Sequence, residues 1–148
     1  MRITIQDNFT DAAAAALADR TDKAKHIVAL QVEKDTEPFV PMLTGSLNTR
    51  TRVVGNTIIY PGPYARYLYY GKVMVDSATG RGPMHFFDKA GNEYIRFHKG
   101  AVLRPTDRPL NYTTDFHKDA GPAWIDRSKA QNMSKWLRVG QRVITNGR

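Results

Sequence analysis

The chain has 148 residues, 41% of them hydrophobic and 24% charged, with no cysteine and a formal charge of +8 from 22 Lys and Arg against 14 Asp and Glu. That suffices for one ordinary domain with its own core, and the lack of cysteine excludes a disulfide scaffold, a thiol nucleophile and a thiolate zinc site while suiting a reducing cytosol. The N-terminal stretch lacks a basic leader followed by an apolar run, and no apolar stretch approaches the roughly 20 residues needed to span a bilayer, so a soluble protein with no membrane partner is expected.

The positive charge permits contact with nucleic acid, acidic protein or anionic lipid. The basic residues are scattered singly rather than gathered in runs, which reads as a solvated basic surface.

Residues 11–34 are rich in alanine and other strong helix formers. Leu17, Ala24, Ile27, Val28 and Gln31 or Val32 recur at three- and four-residue steps, which predicts a long amphipathic helix. Thr10 and Asp11 carry side-chain oxygens suited to capping its start. Pro38 ends it by pushing the preceding residue out of helical geometry, and Pro41 reinforces the break.

Leu43, Thr44, Gly45, Ser46 and Leu47 read as a turn, with Gly45 supplying a backbone angle closed to other residues and Thr44 or Ser46 capping it. Residues 48–54 and 57–60 are β-branched and alternating, and Gly55-Asn56 between them suits a tight hairpin turn. Pro61, Gly62 and Pro63 stop the second strand. Residues 64–71, four of them tyrosine, read as a short helical or irregular element leading into a strand through Val73 and Val75.

Two readings stand for this cluster. Tyr64, Tyr67, Tyr69 and Tyr70 suit a subunit or partner interface, because tyrosine gives a large contact area at little entropic cost and its hydroxyl tolerates water. Alternatively, Tyr64, Tyr67 and Leu68 form one core-facing stripe.

From residue 76 to 115, glycines at 80, 82, 91 and 100 and prolines at 83, 105 and 109 break the apolar pattern, which reads as an excursion rather than a core element. Within it, residues 85–88 and 93–97 flank Lys89-Ala90-Gly91-Asn92 as a second hairpin, whose Phe86, Phe87 and Phe97 are exposed or covered by a partner. A lone two-stranded hairpin is marginal in water, so it is expected to pack on the body or a neighbour, or to order on assembly.

The last predicted element spans residues 122–145. Gly121-Pro122 opens it, with proline at an early helical position, and Ile125, Met133, Trp136, Leu137, Gly140, Val143 and Ile144 form an apolar stripe. Arg127, Lys129, Lys135, Arg138 and Arg142 decorate it as a solvated basic face.

No catalytic or metal-binding pattern emerges. His26, His85, His98 and His117 have no zinc spacing, Ser46 in TGSLN is not a nucleophile elbow, and there is no phosphate-binding glycine loop. Asp115, His117 and Asp119 lie close together in a Gly/Pro-flanked loop that provides no orienting framework, and they read as surface polar residues.

The ordered segments VPMLTGSL, IIYPGPYARYLYYGKVMV and LNYTTDFHKDAGPAWIDRSKAQNMSKWLRVG resemble the minor capsid protein family of long-tailed bacteriophages and prophages, itself similar to the small neck, head-tail joining and tail-completion proteins. The family pattern falls on Val40, Pro41, Thr44, Gly45 and Leu47, then on Tyr60, Pro63, Tyr64, Ala65, Tyr70 and Gly71. It resumes at Leu110, Asn111, Tyr112, His117, Ala120, Gly121, Trp124, Ala130 and Trp136. Residues 77–108 depart from it as an inserted hairpin.

The resemblance implies a single α+β domain over residues 1–148, with a small antiparallel sheet, a long N-terminal helix, a C-terminal amphipathic helix and the inserted hairpin. It implies a structural virion protein of the neck, made in the host cytoplasm, with no catalytic residue, no cofactor and no metal. Its expected partners are copies of itself in a ring of six or twelve, closed by heterologous contacts. The head-completion or connector proteins lie on one side and the tail terminator or tail tube on the other. Genomic DNA in the lumen is expected to meet basic side chains through its phosphates alone. Two other readings are carried beside this one: a sequence-nonspecific nucleic-acid-binding domain, and a small nuclease using Asp115, Asp119 and a histidine.

Overall fold

The computed structural model describes the backbone of residues 1–6, 11–42, 47, 50–61 and 64–146, and the side chains of all of these but 11–19, 64, 94 and 95. Thr10, Leu43, Thr44, Gly45, Ser46, Asn48, Gly62 and Pro63 lie outside the described residues, as do the side chains of Asp11 and Leu17. The fold is α+β, with a long helix near each end of the chain and, among the described residues, three small antiparallel sheets between and beside them.

The N-terminal helix α1 (Asp11–Thr36) follows from its alanine-rich composition and ends two residues before Pro38. The chain tightens into a 3₁₀ turn at Glu37–Phe39, and Val40 leaves in extended geometry with its N–H on the Glu37 carbonyl. Its buried face runs through Thr21, Ala24, Ala29, Val32 and Thr36. Ile27, Val28 and Gln31 are half-buried. The inward face is thus rotated slightly from the expected stripe, and two threonines and two small alanines let the neighbouring elements approach.

A strand absent from the sequence reading, β1 (Arg2–Thr4), joins the expected hairpin of β2 (Arg52–Val54) and β3 (Thr57–Ile59) in the order β1-β3-β2. Ile58 on the central strand is fully buried, and its cross-strand partners Ile3 and Val53 pack beside it on the core. Val54 pairs with Thr57, leaving the two-residue turn Gly55-Asn56, where Gly55 takes φ +59°. Asn56 ties this turn to Ile5 through both its backbone carbonyl and its side-chain amide, and His26 of α1 donates its Nδ1 proton to the Gly55 carbonyl at 2.6 Å. The first hairpin strand begins at Arg52 rather than residue 48, because Leu47 and Arg50 are helical and the Thr51 amide returns to the Leu47 carbonyl.

The tyrosine element is a helix, α2 (Tyr64–Tyr70), and it leads directly into β4 (Lys72–Asp76). The strand β4 pairs antiparallel with β7 (Leu103–Pro109), so the end of the presumed excursion is part of the body. Pro105 and Pro109 break the apolar pattern of this segment and cannot donate to a ladder. They are accommodated because the sheet has only two strands and the outer edge of β7 needs no donors. Between them, β5 (Met84–Phe87) and β6 (Glu93–Arg96) form the expected second hairpin as a sheet of their own.

The C-terminal helix α3 (Trp124–Asn146) starts after Pro122, which therefore lies outside it, and Ala123 turns the chain in with φ +48°. It packs antiparallel to α1: Thr36 donates to Ser128 at 2.9 Å in a buried pair near one end, and Arg20 reaches the Ile144 carbonyl near the other. Midway, a Cβ on Gly140 would sit 3.3 Å from Val28 Cγ2, so the helices are close there. Trp124, Ile125, Ser128, Trp136 and Val143 form the buried face. Met133 and Leu137 of the expected stripe are exposed, being displaced around the helix from that face.

One core unites these parts. Ala29, Val32, Phe39, Val40, Ile58, Tyr60, Ala65, Trp124, Ile125 and Trp136 come from both long helices, the 3₁₀ turn, the first sheet and α2.

Candidate assembly surface

The tyrosine helix divides its side chains between the core and solvent. Ala65, Leu68 and Tyr69, at three- and four-residue spacing, turn inward. The Tyr69 ring meets Trp124 edge-on with centroids 4.9 Å apart, and its hydroxyl donates to Asp126 Oδ2 at 2.8 Å. Burial and the Asp126 carboxylate both push the Tyr69 phenol well above its ordinary pKa. Trp124 also meets Tyr60 edge-on at 5.5 Å, and burial raises the Tyr60 phenol as well.

Tyr69 is therefore tied to Trp124 and Asp126 of the same chain. Tyr70 points outward at 65% exposure, with the Arg66 guanidinium 5.9 Å from its ring centre. Tyr67 is half-buried, and the side chain of Tyr64 lies outside the described residues. Ala65 and Tyr69 join Leu68 on the core side of α2, because Trp124 lies against the C-terminal half of that helix.

Residues 110–123 fasten this helix to the body. The Tyr112 hydroxyl donates to the Leu68 carbonyl at 2.5 Å, the Leu110 N–H to Gly71 and the Ala123 N–H to Tyr69. On the other side, the Gly121 N–H reaches the Phe39 carbonyl, and His117 donates Nδ1–H to the Val40 carbonyl at 2.8 Å. His117 is thus a half-buried fastener and not the surface residue expected, whereas Asp115 and Asp119 are exposed. Pro41 is buried and Leu47 packs against the core.

The hairpin of β5 and β6 is a different kind of surface. Among its described side chains none is buried, and its extensive element contacts are between its own two strands. Phe87 is 68% exposed, Met84 is exposed, and Phe86 is half-buried under the Arg96 guanidinium at 4.8 Å. His85 and Glu93 pair across the strands at 2.5 Å, and Asp88 accepts the Ala90 and Asn92 amides to shape the turn. This is an arm carrying aromatics. At its root, where β4 ends and the arm begins and returns, Asp76, Thr79, Arg81, Gly82, Pro83, Met84, Phe97 and His98 line an open pocket of about 370 Å³. No sequence pattern announces that pocket, since residue 76 reads only as the start of the Gly/Pro-broken excursion.

Each histidine has a local contact: His26 with Gly55, His85 with Glu93, His98 with Asp76 and His117 with Val40. Among the described residues no group of three or more His, Asp or Glu is placed to hold a metal ion, and no helix is long and apolar enough to cross a membrane.

The sequence pattern of the minor capsid protein family matches residues 3–106, which takes in β1 to the middle of β7. The chain belongs to the minor capsid protein family, and its role is that of a structural component of the virion. The match includes most of the segment expected to depart from the family and ends ahead of α3. The single-stranded DNA-binding protein 1 of Streptomyces coelicolor is 36% identical over 63 residues, a stretch that covers 43% of this chain and 40% of that protein. No solved structure matches the chain at a significant level.

Proposed function

We propose that this chain is a subunit of the head-tail junction, closing into a ring of six or twelve copies that joins the head connector to the tail and leaves a lumen for DNA. The observation that carries this reading is the contrast between a firmly cored body and an aromatic arm. Two strands alone are marginally stable in water, and the exposed Phe87 and Met84, on opposite faces of β5, each gain by burial against another surface. In a ring, every copy offers its arm to the next by the same contact, and closure leaves no arm uncovered. Tyr70, at the outer side of α2, is the corresponding candidate on the body, with Tyr67 beside it. Phe86, Phe87 and Phe97 are the candidates on and below the arm. Head-completion or connector proteins and the tail terminator or tail tube are the partners above and below.

The test is the mass of the purified chain by light scattering over a concentration series, followed by imaging of any large species. Closed rings of six or twelve support the reading. A monomer that also fails to join rings on purified connector or tail ends overturns it.

A second reading, binding to nucleic acid without sequence preference, draws on the printed name of the Streptomyces relative and on Lys129, Arg138 and Arg142, which are exposed along α3. It predicts that the monomer binds single-stranded DNA with an affinity that falls steeply with salt.

A further inference from the structure

The pocket at the root of the arm contains a buried acid without a full set of partners. The Asp76 side chain is only 5% exposed. Its Oδ1 accepts the Ala78 N–H at 2.8 Å, but Oδ2 is buried and makes no hydrogen bond. His98 Nε2 lies 3.4 Å from Oδ2 and covers it, yet the imidazole is itself 53% exposed and has room to swing outward. Arg81 gives its backbone carbonyl to the Asp76 N–H, while its side chain makes no ion pair with the Asp76 carboxylate. Burying a carboxylate oxygen without a hydrogen bond is costly, so the site is incomplete as it stands.

The walls suggest what completes it. Pro83, Met84 and Phe97 supply apolar contact for an alkyl stem, Phe97 offers a ring to a cation, and Asp76 lines the same pocket with an Oδ2 that has no hydrogen bond. Lysine and arginine side chains have this composition: an aliphatic stem that tolerates burial and a head of N–H donors. A chain with a net charge of +8 has such side chains in excess on its own surface.

We propose that this pocket is a socket for a guanidinium or ammonium group presented by a second copy of this chain, an assignment that rests on the reading of the chain as a self-assembling subunit. The incoming group displaces the His98 ring, bonds Asp76 Oδ2 and lays its stem along Met84 and Phe97. Because the socket joins the end of β4 to both feet of the arm, its occupation fixes the arm's direction at the same moment that the arm meets its neighbour.

The experiment compares the full-length wild type with Asp76→Asn, which keeps the side chain's size and its acceptor for Ala78, and with Phe87→Ala. Self-association is followed by sedimentation, and arginine amide is titrated in as a probe, read by the NMR signals of Phe97 and His98. The socket predicts that Asp76→Asn stays folded, associates at least about tenfold more weakly, and loses the response of Phe97 and His98 to arginine amide. A folded Asp76→Asn that associates like the wild type overturns it, as does a wild type whose Phe97 and His98 signals ignore the probe. Phe87→Ala separates the two claims: weakened association in that variant alone upholds the arm and rejects the socket. A wild type that remains monomeric at every attainable concentration overturns the second copy as the occupant.

Discussion

Gly71 and Pro122 stand so close that a Cβ on Gly71 would lie 2.9 Å from Pro122 Cβ, with the Tyr112 hydroxyl 3.1 Å away on the same side. Gly71 also holds φ +70° and ends α2, its N–H returning to the Tyr67 carbonyl. The end of the tyrosine helix and the entry to α3 are therefore packed through a position only glycine can fill. Gly71→Ala is expected to destabilise the protein by about 2–4 kcal/mol, combining backbone strain with overpacking. Gly55→Ala, at φ +59° but with open space around it, should cost only about 1 kcal/mol. Denaturant melts of the two variants check the difference.

Trp124 is fully buried between Tyr60 and Tyr69 and links α2 to the first sheet. Trp124→Ala should cost about 3–5 kcal/mol and loosen α2, whereas Leu137→Ser on the exposed side of the same helix should change stability by less than about 0.5 kcal/mol. Near-UV circular dichroism with thermal unfolding measures both effects.

Asp35 joins the two long helices. Burial tends to raise its carboxyl pKa, but hydrogen bonds from Lys135, Trp136 and Gln31 outweigh burial and hold it below the ordinary 3.8. The unfolded chain thus takes up the proton more readily than the folded one. The stabilisation is fully present above the ordinary value and is lost as pH falls through the lowered folded value. Asp35→Asn should flatten this acid limb while leaving the rest of the stability profile in place, a result that denaturant melts across the acid range would contradict if the limb were unchanged.

Much of this architecture was legible in local chemistry. The alanine-rich run and Pro38 defined the first helix, Gly55-Asn56 marked the first hairpin and Lys89-Ala90-Gly91-Asn92 the second. The missing parts were those set by long-range pairing. Three residues at the N-terminus carry too little pattern to announce β1, whose place is decided by Ile58 across the sheet. The strand β7 contains two prolines, and only its position at the edge of a two-stranded sheet makes them harmless. Tyrosine spacing identified α2 but not which rings face inward, because Trp124, far along the chain, decides that Tyr69 does. The pocket at Asp76 was invisible for the same reason: its walls come from two separate stretches, residues 76–84 and 97–98.

The arm offers a clean separation of folding from assembly. Since none of its described side chains is buried, Phe87→Ser should leave the melting of the monomer unchanged within about 0.5 kcal/mol while weakening association. Equal loss of both would mean that the arm belongs to the body's core.

The central claim, a subunit that assembles through its arm, is tested most directly by the solution mass of the intact chain beside a variant lacking residues 81–100. The account predicts closed rings of six or twelve for the intact chain and a folded monomer for the deletion. Rings that persist without those residues, or an intact chain that forms none either alone or on connector and tail ends, would contradict it.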